Sequence, residues 1–240
     1  MSAADAEWIA GLRAALAAAG DPQRAASQQR YMKSAMPYHG ITSPEVRALV
    51  RPHLELAAAQ LTDRSAWEKT IRALWDGATH REERYAALAL ARARRFRRWQ
   101  DPATLTLYRH LVLTGAWWDV VDEIAGHLVG PIVTAHRSTE AQRMMAWAEG
   151  DHLWLRRTAI LHQLGCKDDT DSELLAATIE PNLATSRFGD QFWIRKAIGW
   201  ALRQYSYTDP IWVRGFVDRQ RQRMASLTVR EATKRLPPVN

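Results

Sequence analysis

The run FWIRKAIGWALR at residues 192–203 shows no alternation of apolar and polar residues with a period of two. Instead Trp193, Lys196, Trp200, Arg203 and, just beyond the run, Tyr207 recur at spacings of three, four, three and four. That is the period of an α-helix, and it lines up the five side chains in one stripe.

The same period fills the rest of the chain. Ala, Leu and Arg dominate, and the 12 glycines and 10 prolines fall mostly between periodic stretches. Ser43-Pro44 offers an N-cap followed by a first-turn proline. Ser65-x-x-Glu68, Thr79-x-x-Glu82, Thr139-x-x-Gln142 and Thr228-x-x-Glu231 fit the capping box. Stops are read at Gly20, Gly77, Gly130-Pro131, Gly165 and Pro237-Pro238. Between these marks the sequence predicts helices near 4–19, 22–34, 44–59, 65–76, 79–98, 102–113, 117–129, 138–148, 152–164, 171–180, 190–206, 210–222 and 228–236. Pro52 is expected to break or bend the third of them.

Short connections favour antiparallel helix pairs, and the rhythm matches HEAT-type units of roughly 40 residues. The expected fold is all-α: helix pairs stacked as HEAT-like repeats into a curved solenoid with a basic concave cleft. An ordinary compact bundle is the alternative. No linker divides residues 1–240, so a single domain is expected.

Of the 240 residues, 47% are hydrophobic and 25% charged, which excludes a wholly disordered chain. Mean hydropathy is −0.37, and no apolar run approaches the roughly 20 residues of a membrane span. The start, MSAADAEWIAGLRAALAAAG, carries acids where a secretory signal would be basic, so a cytoplasmic protein is expected. The single cysteine, Cys166, excludes an intrachain disulfide framework.

The net charge of +7 suits a polyanionic partner, although solubility alone would also account for it. Eleven tryptophans are more than a core of this size ordinarily uses, which leaves some to line a site.

Phosphate-loop, dinucleotide, HExxH and GxSxG motifs are all missing. The eight histidines show no ligand spacing, so neither metal nor cofactor is expected. What remains is a polar and aromatic set. In Trp117-Trp118-Asp119-Val120-Val121-Asp122, Trp118 and Asp122 share a helix face. Asp119 reads as a capping acid, and Asp122 taken alone reads as a solvated one.

In Asp151-His152-Leu153-Trp154-Leu155-Arg156-Arg157, Arg157 shares a face with Trp154, a spacing equally compatible with plain packing. The stripe from Trp193 to Tyr207 is more telling. Aromatic stripes are usually core, but cations interleaved with them are costly to bury unpaired. Sugars and bases offer faces for stacking, and phosphates accept from the cations. The stripe therefore points to nucleic acid. Arg92-Ala93-Arg94-Arg95-Phe96-Arg97-Arg98 is weaker, since cations at a helix C-terminus are favoured anyway.

Five segments, in order, resemble those of the DNA alkylation repair glycosylases of the AlkD type. They are YMKSAMPYHGITSPEVRAL (31–49), WWDVVD (117–122), WLRRTAILHQL (154–164), IRKAIGWALRQY (194–205) and LTVREATKRL (227–236). The resemblance implies HEAT-like repeats around a basic cradle for double-stranded DNA, and excision of cationic alkylated purines such as 3-methyladenine and 7-methylguanine. It puts the catalytic aspartate on Asp122, the cleft tryptophans on Trp118 and Trp200, and the cleft arginine on Arg157. Arg156 stands beside it as an alternative.

Tyr31 and Arg203 match positions of the family that face DNA, Arg157, Arg203 and Lys196 are expected to grip phosphates around the lesion, and Trp193 extends that DNA-binding surface. Pro181–Asp190 looks longer than in the family. The resemblance further implies a monomer acting on a lesion that stays stacked. The rival readings are a non-catalytic HEAT-like module binding branched or damaged DNA and a protein-binding solenoid.

Overall fold

Among residues 3–236, which the computed structural model describes, every regular element is helical. The all-α expectation holds. The chain divides into two compact units, Met1–Gln100 and Asp101–Asn240. No helix among the described residues is long and apolar enough to cross a membrane.

The first unit contains α1 (Ala3–Ala18), α2 (Pro22–Met32), α3 (Ser43–Gln60), α4 (Arg64–Asp76) and α5 (Arg81–Arg92), then a 3₁₀ turn over Arg94–Trp99. Its core is aromatic: Trp67, Trp75 and Phe96 are almost wholly buried beside Leu12, Leu16 and Ile71. The second unit contains α6 (Leu105–Gly115), α7 (Trp118–Ile124), α8 (Gly130–Ala135), α9 (Arg137–Glu149) and α10 (Leu153–Leu161). It continues with α11 (Ser172–Ile179), α12 (Phe192–Tyr205), α13 (Pro210–Gln220) and α14 (Ser226–Thr233). Ile160, Ile194, Ile198, Leu202 and Phe216 centre its core. Helix α10 packs on α7, α9 and α12, and α12 packs on α14. Those contacts assemble the site described below.

Several boundaries differ from the sequence reading, each for a local reason. Thr42, rather than Ser43, caps α3, because the Glu45 carboxylate reaches back to the Thr42 N–H at 2.7 Å. Asp63 caps α4, accepting from the Ala66 N–H at 2.9 Å, so Ser65 falls inside the helix. Helix α9 begins at Arg137, ahead of Thr139. The expected helix over 79–98 is cut at Ala93, and the basic run forms the 3₁₀ turn. Pro52 sits inside α3, which runs through it.

Gly130-Pro131 does not stop a helix. A π-helical turn over Ala125–Val129 carries α7 into α8, with the Gly130 N–H donating to the Ala125 carbonyl. The shifted hydrogen-bond register accommodates a proline that has no N–H to give. Gly130 is there for space, since a Cβ would lie 2.1 Å from the His162 carbonyl oxygen. The stop read at Pro237-Pro238 lies outside the described residues.

Candidate functional site

Ala116 ends α6 in the left-handed region, at φ 39°, with its N–H donating to the Val112 carbonyl at 3.1 Å. Holding a residue with a Cβ there costs about 1 kcal/mol. Trp117 follows in extended conformation, and α7 starts afresh at Trp118.

Asp122 of α7 meets Arg157 of α10 in a two-pronged pair. Nε donates to Oδ1 at 2.7 Å and Nη2 to Oδ2 at 2.8 Å. Fork-to-carboxylate geometry of this kind is stronger and more directional than a single contact. The remaining Arg157 amino group, Nη1, donates to the Trp193 carbonyl of α12 at 2.5 Å. One guanidinium thus ties three helices together.

The Arg157 side chain is 4% exposed and that of Asp122 13%. Burial pushes the Asp122 carboxyl above its ordinary range; the Arg157 hydrogen bonds and charge oppose that shift, and the Asp119 charge adds to it.

Around this pair stand the indoles. Trp117, Trp154 and Trp193 form a triangle with ring centroids 5.6–6.0 Å apart, and the Arg157 guanidinium lies 5.8 Å from the Trp193 ring. Contacts at these distances add about 0.5–1.5 kcal/mol each beyond area burial. Trp118 is half-buried, one turn before Asp122 on the same face of α7. Trp200 is half-buried against the core of the second unit.

Lys196 and Arg203 of α12 converge on one acid. Glu231 of α14 receives Lys196 Nζ at 3.1 Å on one oxygen and Arg203 Nη1 on the other. Burial pushes the Glu231 carboxyl up, but the two cations more than offset this and hold it below the usual range. Gly199 makes the contact possible. A Cβ at that position would lie 2.5 Å from the Glu231 Cβ, so only glycine lets α14 approach so closely.

Arg156 takes a different part from its neighbour. It is 6% exposed and donates to the carbonyls of Glu149, Gly150 and Pro181 and to Asn182 Oδ1. The Pro181–Asp190 stretch is thereby pinned to the start of α10. Tyr31 belongs to α2 of the first unit, where it is 79% exposed.

Asp122, Arg157 and Trp193 are thus brought into direct contact, whereas Lys196 and Arg203 are joined through a residue that the sequence reading used as a helix cap. That residue, Glu231, is not among those expected in the site, and Trp117 and Trp154 are noted in the sequence without a place in it. The signals were present: an indole beside Trp118, an indole three before Arg157, and an acid inside a segment already read as a motif.

The first unit also joins residues that are distant in sequence. His39 and His80 stack at 3.8 Å, and their nitrogens approach Glu83 Oε1 at 3.7 and 3.6 Å. This is the one group of metal-ligating atoms that comes within 4.8 Å among the described residues. Both Glu83 oxygens are already engaged, however, accepting from Arg13 Nε at 2.8 Å and from Thr79 Oγ1 at 2.8 Å. Its evident role is to join segments of the first unit.

The family model described as DNA alkylation repair enzyme matches residues 12–236, nearly the whole chain. The chain belongs to the DNA alkylation repair enzyme family. A solved structure described as a predicted DNA alkylation repair enzyme from Enterococcus faecalis is similar to it at 30% identity and a TM-score of 0.81. The match covers 92% of this chain and 98% of that one. No curated protein matches the sequence. Membership in the DNA alkylation repair family makes the chain a DNA repair enzyme, with DNA as its partner.

Proposed function

We propose that the protein is a DNA glycosylase that hydrolyses the N-glycosidic bond of cationic alkylated purines, such as 3-methyladenine and 7-methylguanine, in duplex DNA. The observation that carries this reading is a largely buried carboxylate, Asp122, fixed by the Arg157 fork and flanked by indoles in a member of a DNA alkylation repair family.

One carboxylate suffices for this substrate class. Glycosidases acting on neutral leaving groups usually need a second, acidic one. A purine alkylated at N3 or N7 already carries positive charge and departs without being protonated. The remaining barrier is the developing oxocarbenium ion at C1′. Asp122 stabilises that charge and orients the attacking water. Trp118 and Trp200 hold the deoxyribose and offer indole faces to the shifting positive charge.

Arg157 acts through Asp122, holding both oxygens in place and favouring the ionised form. Lys196, Arg203, Trp193 and Tyr31 belong to the DNA-facing surface in this reading. The lesion stays stacked, and the enzyme acts as a monomer.

Release of 7-methylguanine from methylated duplex DNA tests the reading, with wild type set beside Asp122→Asn. Wild-type release with a large loss in a variant that still binds duplex supports it. Binding without release by the wild type would instead make the protein a non-catalytic module for damaged or branched DNA.

A further inference from the structure

Arg94-Arg95-Phe96-Arg97-Arg98-Trp99 forms a 3₁₀ turn at the end of the first unit's helices. Residues three apart eclipse one another in such a turn, so the six side chains sort into three rows. Phe96 stands with Trp99, Arg94 with Arg97, and Arg95 with Arg98.

The aromatic row is the anchor. Phe96 and Trp99 stack at 5.3 Å with planes 9° apart, and both rings meet the buried Trp67, at 6.1 and 5.7 Å. Gln100 closes the turn, its Nε2 donating to the Ala91 carbonyl at 2.7 Å and its N–H to the Arg97 carbonyl at 3.0 Å.

With the rings turned inward, Arg94, Arg95, Arg97 and Arg98 are all exposed. None of the four has an ion pair or a side-chain hydrogen bond among the described residues. The Arg98 guanidinium is steadied over the Trp99 ring, 4.8 Å from its centroid. The candidate site is unlike this. There Arg157 is neutralised by Asp122, and Lys196 and Arg203 share Glu231.

We infer that the Arg94–Trp99 turn is a second contact surface for duplex DNA, gripping the phosphate backbone without reading bases. Guanidinium forks match phosphate oxygens, and a turn locked at both ends spends little entropy in presenting them. Members of a row lie roughly 6 Å apart along the turn, so one row can engage more than one phosphate. Other polyanions fit less well. A membrane surface wants apolar side chains free to insert, yet Phe96 is 1% exposed. A protein partner wants an exposed aromatic anchor at the centre of the patch, and the turn keeps both of its rings against Trp67. The inference rests on DNA being the partner and not on base excision.

Binding of the full chain to unmodified duplex DNA, measured from 50 to 200 mM salt, tests it. Replacing Arg94, Arg95, Arg97 and Arg98 together by Gln should cut the steepness of log K against log salt by about 0.9 for each phosphate left without its guanidinium. A total change of about 2–4 is expected, with affinity at 50 mM salt down at least about tenfold. Melting temperature and helical circular dichroism should match wild type.

A charge-matched control, with Arg47, Arg51, Arg219 and Arg221 changed to Gln, should keep the wild-type slope. The inference is overturned by an unaltered slope in the turn variant or by an equal loss in the control. It is likewise overturned if the turn variant keeps duplex binding but loses binding to phosphatidylserine vesicles. Wild-type protein that binds steeply yet releases no base would sink the glycosylase reading alone. Base release with a slope untouched by the turn variant would sink this one alone.

Discussion

Glu82 and Asp122 are both buried carboxylates, and they are held in opposite ways. Glu82, with no exposure, accepts from three consecutive backbone N–H groups: Oε2 from His39 at 2.9 Å, and Oε1 from Gly40 and Ile41 at 3.0 and 3.1 Å. Backbone donors cannot be withdrawn without moving the loop, so Glu82 is a peg for the segment between α2 and α3. Asp122 is held by a side chain, Arg157, and keeps 13% of its own side chain exposed. A carboxylate fixed in this way can take a new partner while the fold stays as it is. Burial and hydrogen bonding alone do not mark a functional acid; the kind of donor and the residual access do.

Asp122→Asn should lower 7-methylguanine release by about 10³-fold, equivalent to roughly 4 kcal/mol of barrier, while the protein stays folded and binds duplex DNA. Full activity in this variant would break the comparison at once.

A third buried group calibrates the stability side. His162, wholly buried with one ring nitrogen at 2.6 Å from the Ala159 carbonyl, has its pKa pushed down to about 4, chiefly by burial. The unfolded chain takes up that proton near pH 6.5, before the folded one does. Stability should therefore be intact above that pH and fall as pH drops toward 4, by about 3 kcal/mol in all. Urea titrations at stepped pH check this, with a His162→Gln variant expected to flatten the slope.

Glu82→Gln should come next, costing about 2 kcal/mol in the same titrations, because its amide group would confront a backbone donor. Excision per folded molecule should be unchanged. A loss of excision without a loss of stability would reverse the roles assigned to the two acids.

The smallest effect is on pH dependence. Burial holds Asp122 above the ordinary aspartate range, so the acid limb of the excision profile should lie at higher pH than a free aspartate would give. Arg157 opposes that shift, so Arg157→Gln should move the limb to still higher pH. A limb that stays in place would separate Arg157 from the ionisation of Asp122.

Much of the molecule was legible in the chain because helices are local. A spacing of three and four residues fixes which side chains share a face, and it puts Trp118 and Asp122 on one face of α7. Capping boxes were legible only as possibilities. Thr228-x-x-Glu231 has the right letters, yet Glu231 serves Lys196 and Arg203, and the Thr228 hydroxyl donates to the Arg195 carbonyl at 3.2 Å. Thr79-x-x-Glu82 has them too, and its glutamate holds a loop some 40 positions earlier in the chain. A short polar motif records what a side chain can do next door, and a partner brought from afar can offer more.

The choice between Arg156 and Arg157 belongs to the same class. Neighbouring residues on one helix point about 100° apart, so sequence guaranteed that they would part company without saying which went where. Packing of α10 against α7 and α12 sent Arg157 to Asp122 and left Arg156 to four acceptors around the 150 and 181 turns.

By itself, then, the sequence determined the all-α class, the faces of its helices and the inventory of indoles, acids and guanidiniums, since these follow from composition and a period of 3.6 residues. Which cations are neutralised and which stay open to an anion was decided only by the tertiary structure. Charge pairing acts over a few ångströms, and those ångströms are set by helices that meet from distant parts of the chain.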